Sequence, residues 1–194
     1  MLLIDDFLPE GDLKTSMESE ELWKENLPLS WYECGKEIRD YKEEFCKHVW
    51  NNYFFTPTPV EITGWEYWSH SMNAEGDYKD LGFHVDSDIY QQLVSEEVEQ
   101  QMIAEGKAKV PKHGFIYYAH KELPEGGYLE VKREHGDLER IQPVPNRLII
   151  FDPSCIHRVT RVTKGARRSL VCNLWKIPPR WVIEKGVYDG NGST

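Results

Sequence analysis

Residues 113–175 read HGFIYYAHKELPEGGYLEVKREHGDLERIQPVPNRLIIFDPSCIHRVTRVTKGARRSLVCNLW. Short runs rich in β-branched and aromatic residues (HGFIYYAH, GGYLEVKR, RLIIFD, IHRVTRV, RRSLVCNLW) alternate here with turn signals, above all PEGG at 124–127 and PVPN at 143–146. Short strands at regular spacing predict an antiparallel barrel or sandwich. On such strands residues i and i+2 share a face. In the last strand Arg167, Ser169, Val171 and Asn173 therefore fall on one side, and Arg168, Leu170 and Cys172 on the other. Both sides are partly apolar, so pattern alone leaves the register of the Arg167-Arg168 doublet open.

Outward from this stretch the character changes. Leu2–Ile4 reads as a short strand closed by Asp5-Asp6 and Pro9. A charged segment at about 15–27 predicts a helix, with Ser16 or Ser19 as caps. A second helix is expected at about 35–51, where Ile38, Tyr41, Phe45 and Val49 form one apolar stripe. Pro57 and Pro59 end the helical part. ITGWEYWSHSM, from Ile62, is again β-prone, and the polar loop NAEGDYKD leads into LGFHVDSD. Residues 89–109 predict a third helix, stopped by Pro111. The expected organisation is mainly β with N-terminal helices: a helical buttress over 1–58, a barrel core over 59–178, and a tail over 179–194 whose last six residues are expected to be disordered.

Composition narrows the class. The 194 residues suffice for one sizeable core and not comfortably for two. The formal net charge of −10 disfavours a broad nucleic-acid surface, which needs clustered Lys and Arg. Cys34, Cys46, Cys155 and Cys172 form no CxxC or zinc-like pair, so reduced thiols are expected. With no basic leader before the short apolar run MLLI, and no apolar stretch of membrane-spanning length, the sequence points to a cytoplasmic protein without a membrane segment.

The chemistry lies in His84-Val85-Asp86 and His157. On an extended chain His84 and Asp86 face the same way, with Val85 packed behind. The run RLIIFDPSCIHRV sets His157 just after a buried strand and a turn, at a barrel mouth. Two histidines and one carboxylate are the donor set that binds non-haem Fe(II) on one face. An arginine ten residues beyond His157 suits a carboxylate-ended cosubstrate, since guanidinium offers a planar pair of donors.

The order of these features resembles the 2-oxoglutarate/Fe(II)-dependent oxygenase superfamily, in its prolyl-4-hydroxylase-like branch. The matching segments are His84-Val85-Asp86, Ile116-Tyr117-Tyr118, Gly126-Gly127-Tyr128-Leu129, Leu148–Phe151, His157-Arg158-Val159-Thr160-Arg161-Val162 and Gly165-Ala166-Arg167-Arg168-Ser169, with LLIDDFLP resembling the first strand. The resemblance covers roughly 1–178 as a single oxygenase domain and implies a double-stranded β-helix (jelly-roll) barrel. It implies Fe(II) held by His84, Asp86 and His157, with 2-oxoglutarate as cosubstrate and O2 as oxidant. It implies Arg167, Ser169 and Tyr118 on the distal carboxylate of 2-oxoglutarate, and it favours Arg167 over Arg168 through the pattern G-x-R-x-S. Because the carboxylate Asp86 is retained, it implies hydroxylation, with release of succinate and CO2.

Several readings stay open. The substrate is a peptide, with a peptidyl proline first, or a small molecule; RRSLVCN lacks the arrangement of the DNA-dealkylating branch, so nucleic acid is disfavoured. Tyr67 or Trp68 lines the cosubstrate pocket, or both pack in the core. Asp88 supports the site, meets substrate, or is solvated at a strand end. Residues 88–112 form a lid or a solvated helix. The alternative to an oxygenase is a non-redox β-barrel that binds metal or ligand. The oligomeric state is not legible.

Overall fold

The computed structural model describes residues 1–26, 28–54, 61–76, 82–88, 95–133 and 136–187. The chain opens with β1 (Leu2–Ile4), α1 (Asp12–Met17), a single 3-10 turn (Glu20–Trp23), β2 (Ser30–Glu33) and α2 (Tyr41–Tyr53). After β3 (Gly64–Asn73) and α3 (Glu96–Ala104) come β4 (His113–Tyr118), β5 (Glu125–Gly126), β6 (Leu129–Lys132), β7 (Leu138–Ile141), β8 (Leu148–Phe151), β9 (His157–Val159), β10 (Val162–Lys164) and β11 (Ala166–Trp175). A short helix, α4 (Arg180–Glu184), follows. Among the described residues no helix is long and apolar enough to cross a membrane.

Six strands form the major sheet in the order β1-β8-β4-β11-β3-β2. A three-stranded sheet, β7-β6-β9, and the pair β10-β5 make the other wall. All pairings are antiparallel. Between the walls lies a core of Ile116, Tyr118, Leu129, Val131, Ile141, Ile149, Phe151 and Val171. It takes alternate residues from both sheets, as two inner faces must. The outer face of the major sheet carries a second core, where Phe115, Tyr117, Leu170, Cys172 and Leu174 meet Phe45, Cys46 and Val49 of α2 and Met17 of α1.

The helices start and stop where capping permits. Instead of one helix over 15–27, the chain forms α1 and then the 3-10 turn, with Met17 and Trp23 buried. α2 begins at Tyr41, not near 35, because Asp40 is its cap: the Asp40 side chain accepts from the Glu43 amide at 2.9 Å. Ile38 still packs on the core, from the chain before the helix, while Tyr41 is exposed. The apolar stripe therefore extends beyond the start of the helix. The prolines at 57 and 59 lie outside the described residues. α3 is shorter than 89–109 and starts at its cap Ser95; Val98 is exposed, and residues 89–94 lie outside the described ones. The last six residues also lie outside. All four cysteines are free.

Candidate active site

His84 and His157 form an isolated antiparallel bridge, each amide donating to the other's carbonyl at 2.9 and 2.8 Å. This reciprocal pair adds residue 84 to the free edge of β9 and sets the two imidazoles side by side, ring centroids 4.6 Å apart. The turn ahead of His157 is held by Asp152, whose carboxylate accepts from the Ser154 amide and hydroxyl. Two residues beyond His84, the Asp86 amide donates to Pro153 O at 3.1 Å, which turns Asp86 back towards the same point.

The ring orientations follow from backbone carbonyls. His84 Nδ1 lies 3.1 Å from Gly82 O, and His157 Nδ1 lies 2.8 Å from Cys155 O. Each pairing favours a proton on Nδ1 and leaves Nε2 as the lone-pair donor. Both Nε2 atoms point at Asp86 Oδ1, at 3.8 Å from His84 and 3.7 Å from His157. The other carboxylate oxygen, Oδ2, accepts from Asn173 Nδ2 at 3.1 Å. The three ligand atoms lie within 4.8 Å of one another. A divalent cation with bonds near 2 Å spans donors up to about 4 Å apart, which covers the spacing of each imidazole from Asp86, and imidazole with carboxylate suits Fe(II). The donor set and its geometry fit such an ion.

The same cavity continues to Arg167 and Ser169. Register settles the doublet. On β11, Arg167, Ser169, Val171 and Asn173 face the cavity, opposite Met72, His70, Trp68 and Glu66 of β3. Arg167 is 1% exposed. Its Nη1 donates to Ser169 Oγ at 2.8 Å, and its guanidinium lies 5.0 Å from the centre of the Tyr118 ring. Arg168 points the other way, with Nη2 3.3 Å from Glu20.

Tyr118 does not line the cavity surface; it is fully buried behind Arg167. Its hydroxyl and Arg167 Nε are buried without a hydrogen-bond partner among the described residues. Such groups are costly to leave unmet, so this end is built for an acceptor-rich anion, and the residues fit a dicarboxylate cosubstrate. Gly127, at φ +66°, belongs to the same end: a Cβ there would meet Arg167 Cδ at 2.8 Å. The PEGG turn thus leaves room for the arginine stem.

Trp68 lines the cavity, and Tyr67, one residue earlier, faces α2 and donates to Glu43 at 2.6 Å. Asp88 does neither of the functional things open to it, nor is it solvated. Its Oδ1 accepts from the Lys109 amide at 2.8 Å, its Oδ2 lies 3.7 Å from Arg180 Nε, and its side chain is 3% exposed.

Sequence reasoning passed over Glu66 and His70, and it set Asn173 on the Arg167 face without giving it a role. Burial and the nearby charge of Asp86 push Glu66 up to about 7, against hydrogen bonds from Trp181, Trp175 and Asn173. Burial, then the Arg167 charge, lowers the His70 imidazole, which favours its neutral form. The period-2 pattern of WEYWSHSM, with Glu66, Trp68 and His70 on one face, was the available signal.

Residues 70–175, more than half the chain, match the model of the family described as the 2OG-Fe(II) oxygenase superfamily. Among solved structures, a prolyl-4-hydroxylase from Pseudomonas putida matches with TM-score 0.58 at 14% identity, over 91% of this chain and 92% of that one. A Trichoplax adhaerens prolyl hydroxylase, solved with a hypoxia inducible factor oxygen degradation domain peptide fragment, matches with TM-score 0.52 at 12% identity, over 90% and 83%. At these identities the likeness is one of fold: the two-walled core is a double-stranded β-helix. No curated protein matches the chain in sequence.

Proposed function

The chain belongs to the 2OG-Fe(II) oxygenase superfamily, and from that premise we propose that His84, Asp86 and His157 ligate the iron while Arg167, with Ser169 and Tyr118, holds the distal carboxylate of 2-oxoglutarate. The family makes it a 2-oxoglutarate-dependent dioxygenase using Fe(II), 2-oxoglutarate and O2. The observation that carries the assignment of roles is one cavity lined both by the His-Asp-His cluster and by a buried arginine that meets no carboxylate among the described residues. Residues 1–178 form its catalytic domain in this reading, and α4, which follows, brings Trp181 to Glu66.

Bound in this site, Fe(II) with its cosubstrate supplies the oxidative decarboxylation of 2-oxoglutarate to succinate and CO2 and the oxidising power for hydroxylation. The protein's share is geometric. The backbone carbonyls of Gly82 and Cys155 hold both imidazoles with Nε2 inward. Asn173 holds one oxygen of Asp86 and so directs the other at the histidines. Arg167 supplies a two-pronged donor for a carboxylate, and the Tyr118 hydroxyl a further one, in a pocket walled by Ile116, Leu129 and Val171 that limits water.

The substrate proposed is a peptide or a small molecule that gains one hydroxyl. The named peptide complex of the Trichoplax relative supports a peptide on this scaffold, a prolyl one included, although fold alone does not fix substrate. The test is a succinate-release assay with Fe(II) and O2 across peptides and metabolites, with product masses searched for one added oxygen. Consumption of 2-oxoglutarate by the wild type and its loss in His157→Ala are expected. A protein that binds Mn(II) yet never consumes 2-oxoglutarate with Fe(II) would return the site to a non-redox metal-binding barrel.

A further inference from the structure

The cavity has two chemically opposite ends. Along β11, Arg167 and Asn173 are six residues apart, about 20 Å of extended chain at ~3.4 Å per residue. The His-Asp-His cluster sits towards Asn173, which bonds Asp86. With the arginine end given to 2-oxoglutarate, the remaining end is walled by Leu29, Trp68, Ser87 and Asn173, and its carboxylate is Glu66.

Glu66 differs from two other buried carboxylates of this chain. Glu43 meets Arg39, and Glu130 meets both Arg140 and Arg158. Glu66 is 6% exposed and meets neutral donors: Trp181 Nε1 at 2.5 Å and Trp175 Nε1 at 3.3 Å. Among the described residues no lysine or arginine pairs with it. A carboxylate has roughly four acceptor positions. The two indole N–H groups aim it and leave acceptor positions free, on a residue that lines the cavity. They do not cancel the charge of its ionised form, which is destabilising in a buried place until a cation arrives. The indole face of Trp68, two residues along on the same side of β3, is a second surface that attracts cations. The net charge of −10 steers positively charged molecules towards the chain.

We propose that the substrate carries a cationic nitrogen, an ammonium or a guanidinium, that pairs with Glu66 against Trp68 and so presents a neighbouring carbon to the His-Asp-His cluster. This rests on the functional reading above and narrows it, since a peptidyl proline ring offers no such charge. The same chemistry comes from two sources, a lysine or arginine side chain in a peptide, or a free basic amino acid.

Matched ligands test the proposal on the full chain loaded with Mn(II) and 2-oxoglutarate, where no turnover interferes. Free lysine and arginine, and short peptides centred on each, are titrated beside counterparts with the amine acetylated or the guanidinium replaced by the urea of citrulline. Calorimetry and tryptophan fluorescence read binding. The charged member of at least one pair should bind tenfold or more tightly than its neutral counterpart, and the peptide and amino-acid arms then identify the source. Glu66→Gln should erase that preference and leave the neutral ligands' affinities in place. Equal binding within every pair, no binding by any charged member, or a preference that survives in folded Glu66→Gln overturns the proposal. If the variant does not fold, the wild-type preference and its decline with added salt decide alone. Failure to load Mn(II) or 2-oxoglutarate sinks the functional reading and this proposal together; a loaded protein indifferent to charge sinks this proposal only.

Discussion

The two faces of strand β11 follow opposite rules. Leu170, Cys172 and Leu174 face the helices, in a core closed by Phe45, Cys46 and Val49. On that side Glu43 accepts from Tyr67 and from Arg39, while Trp65 Nε1 and Arg168 Nε are buried without partners among the described residues. Arg167, Ser169 and Asn173 face the cavity, where Arg167 Nε, Tyr118 Oη and Asn173 Oδ1 are buried without partners among the described residues. One face is closed by an apolar core, and the other carries its polar side chains into an open cavity. A scaffold holds a site rigid by spending its apolar surface on the reverse side of the same strand, so stability and chemistry separate by residue parity.

That separation breaks most visibly at Asp86. Asp86→Ala removes the anionic member of the metal set, and turnover should vanish, with Mn(II) affinity falling further than in Asn173→Ala. Losing a partner behind a ligand typically costs ~10–100-fold in affinity. Calorimetric Mn(II) titration of both variants checks the ranking, and a harmless Asp86→Ala would remove the assigned carboxylate from the site.

The arginine doublet sharpens the contrast within two adjacent residues. If Arg167 holds the cosubstrate carboxylate as proposed, Arg167→Ala leaves that carboxylate unpaired in a buried place, and breaking a buried pair costs on the order of 3–5 kcal/mol. At about 1.4 kcal/mol per tenfold, this is roughly a hundredfold or more in 2-oxoglutarate affinity. Arg168 reaches the exposed Glu20. Arg168→Ala should shift that affinity little, and the opposite order would mean that the strand register is wrong.

On the reverse face the expected effect is on stability alone. Leu170 is fully buried in the helix-side core. Leu170→Ala should cost about 2–5 kcal/mol of unfolding free energy, read from urea midpoints, while 2-oxoglutarate affinity of the folded fraction stays within about twofold. A large loss of affinity would show that the faces are coupled rather than separate.

Glu66 should couple the cavity face to pH. Its folded value, about 7, lies above the ordinary 4.5. A raised carboxyl contributes stability that is complete below the unfolded value and is lost as pH rises through the folded one. The metal-free chain should therefore lose stability between about pH 4.5 and 7. The loss is on the order of a few kcal/mol, because each tenfold difference in proton affinity between the folded and unfolded chain is worth ~1.4 kcal/mol. The quantity to measure is the wild-type minus Glu66→Gln difference in urea unfolding at pH 5 and pH 8. A difference that does not change with pH means that Glu66 ionises normally.

Much of this was legible because it is local. The alternation of RRSLVCN fixes who shares a face, and HVD sets His84 and Asp86 two residues apart on an extended chain. What stayed illegible depends on partners far along the chain. Which face of β11 points inward is decided by pairing with β3 and β4, since both faces are partly apolar. Ile38 mimicked a helical position because it reaches the core from an extended segment. The Glu66 cluster joins β3 to Trp175 and Trp181, 109 and 115 residues later. No spacing rule connects positions so far apart.

Asp88 is the smallest and most discriminating case. It follows Asp86 by two residues, so alternation alone would set both carboxylates on the metal face. The chain departs from that pattern because residue 88 pairs with the returning segment after α3: its amide donates to Lys109 O at 2.9 Å and its side chain accepts from the Lys109 amide. Arg180 of α4 approaches from the other side. Asp88 thus ties the end of the metal segment to α3 and to the C-terminal helix, a mechanical task rather than a chemical one. A hydrogen bond to a charged group contributes about 1.5–3 kcal/mol. Asp88→Ala should lower stability by no more than that, and Asp88→Asn by less, since an amide oxygen still accepts from Lys109. Mn(II) affinity should stay within about twofold of wild type in both, against near-complete loss in Asp86→Ala. Loss of metal binding in Asp88→Asn, with its fold intact, would mean that the wrong carboxylate of HVDSD has been placed at the metal.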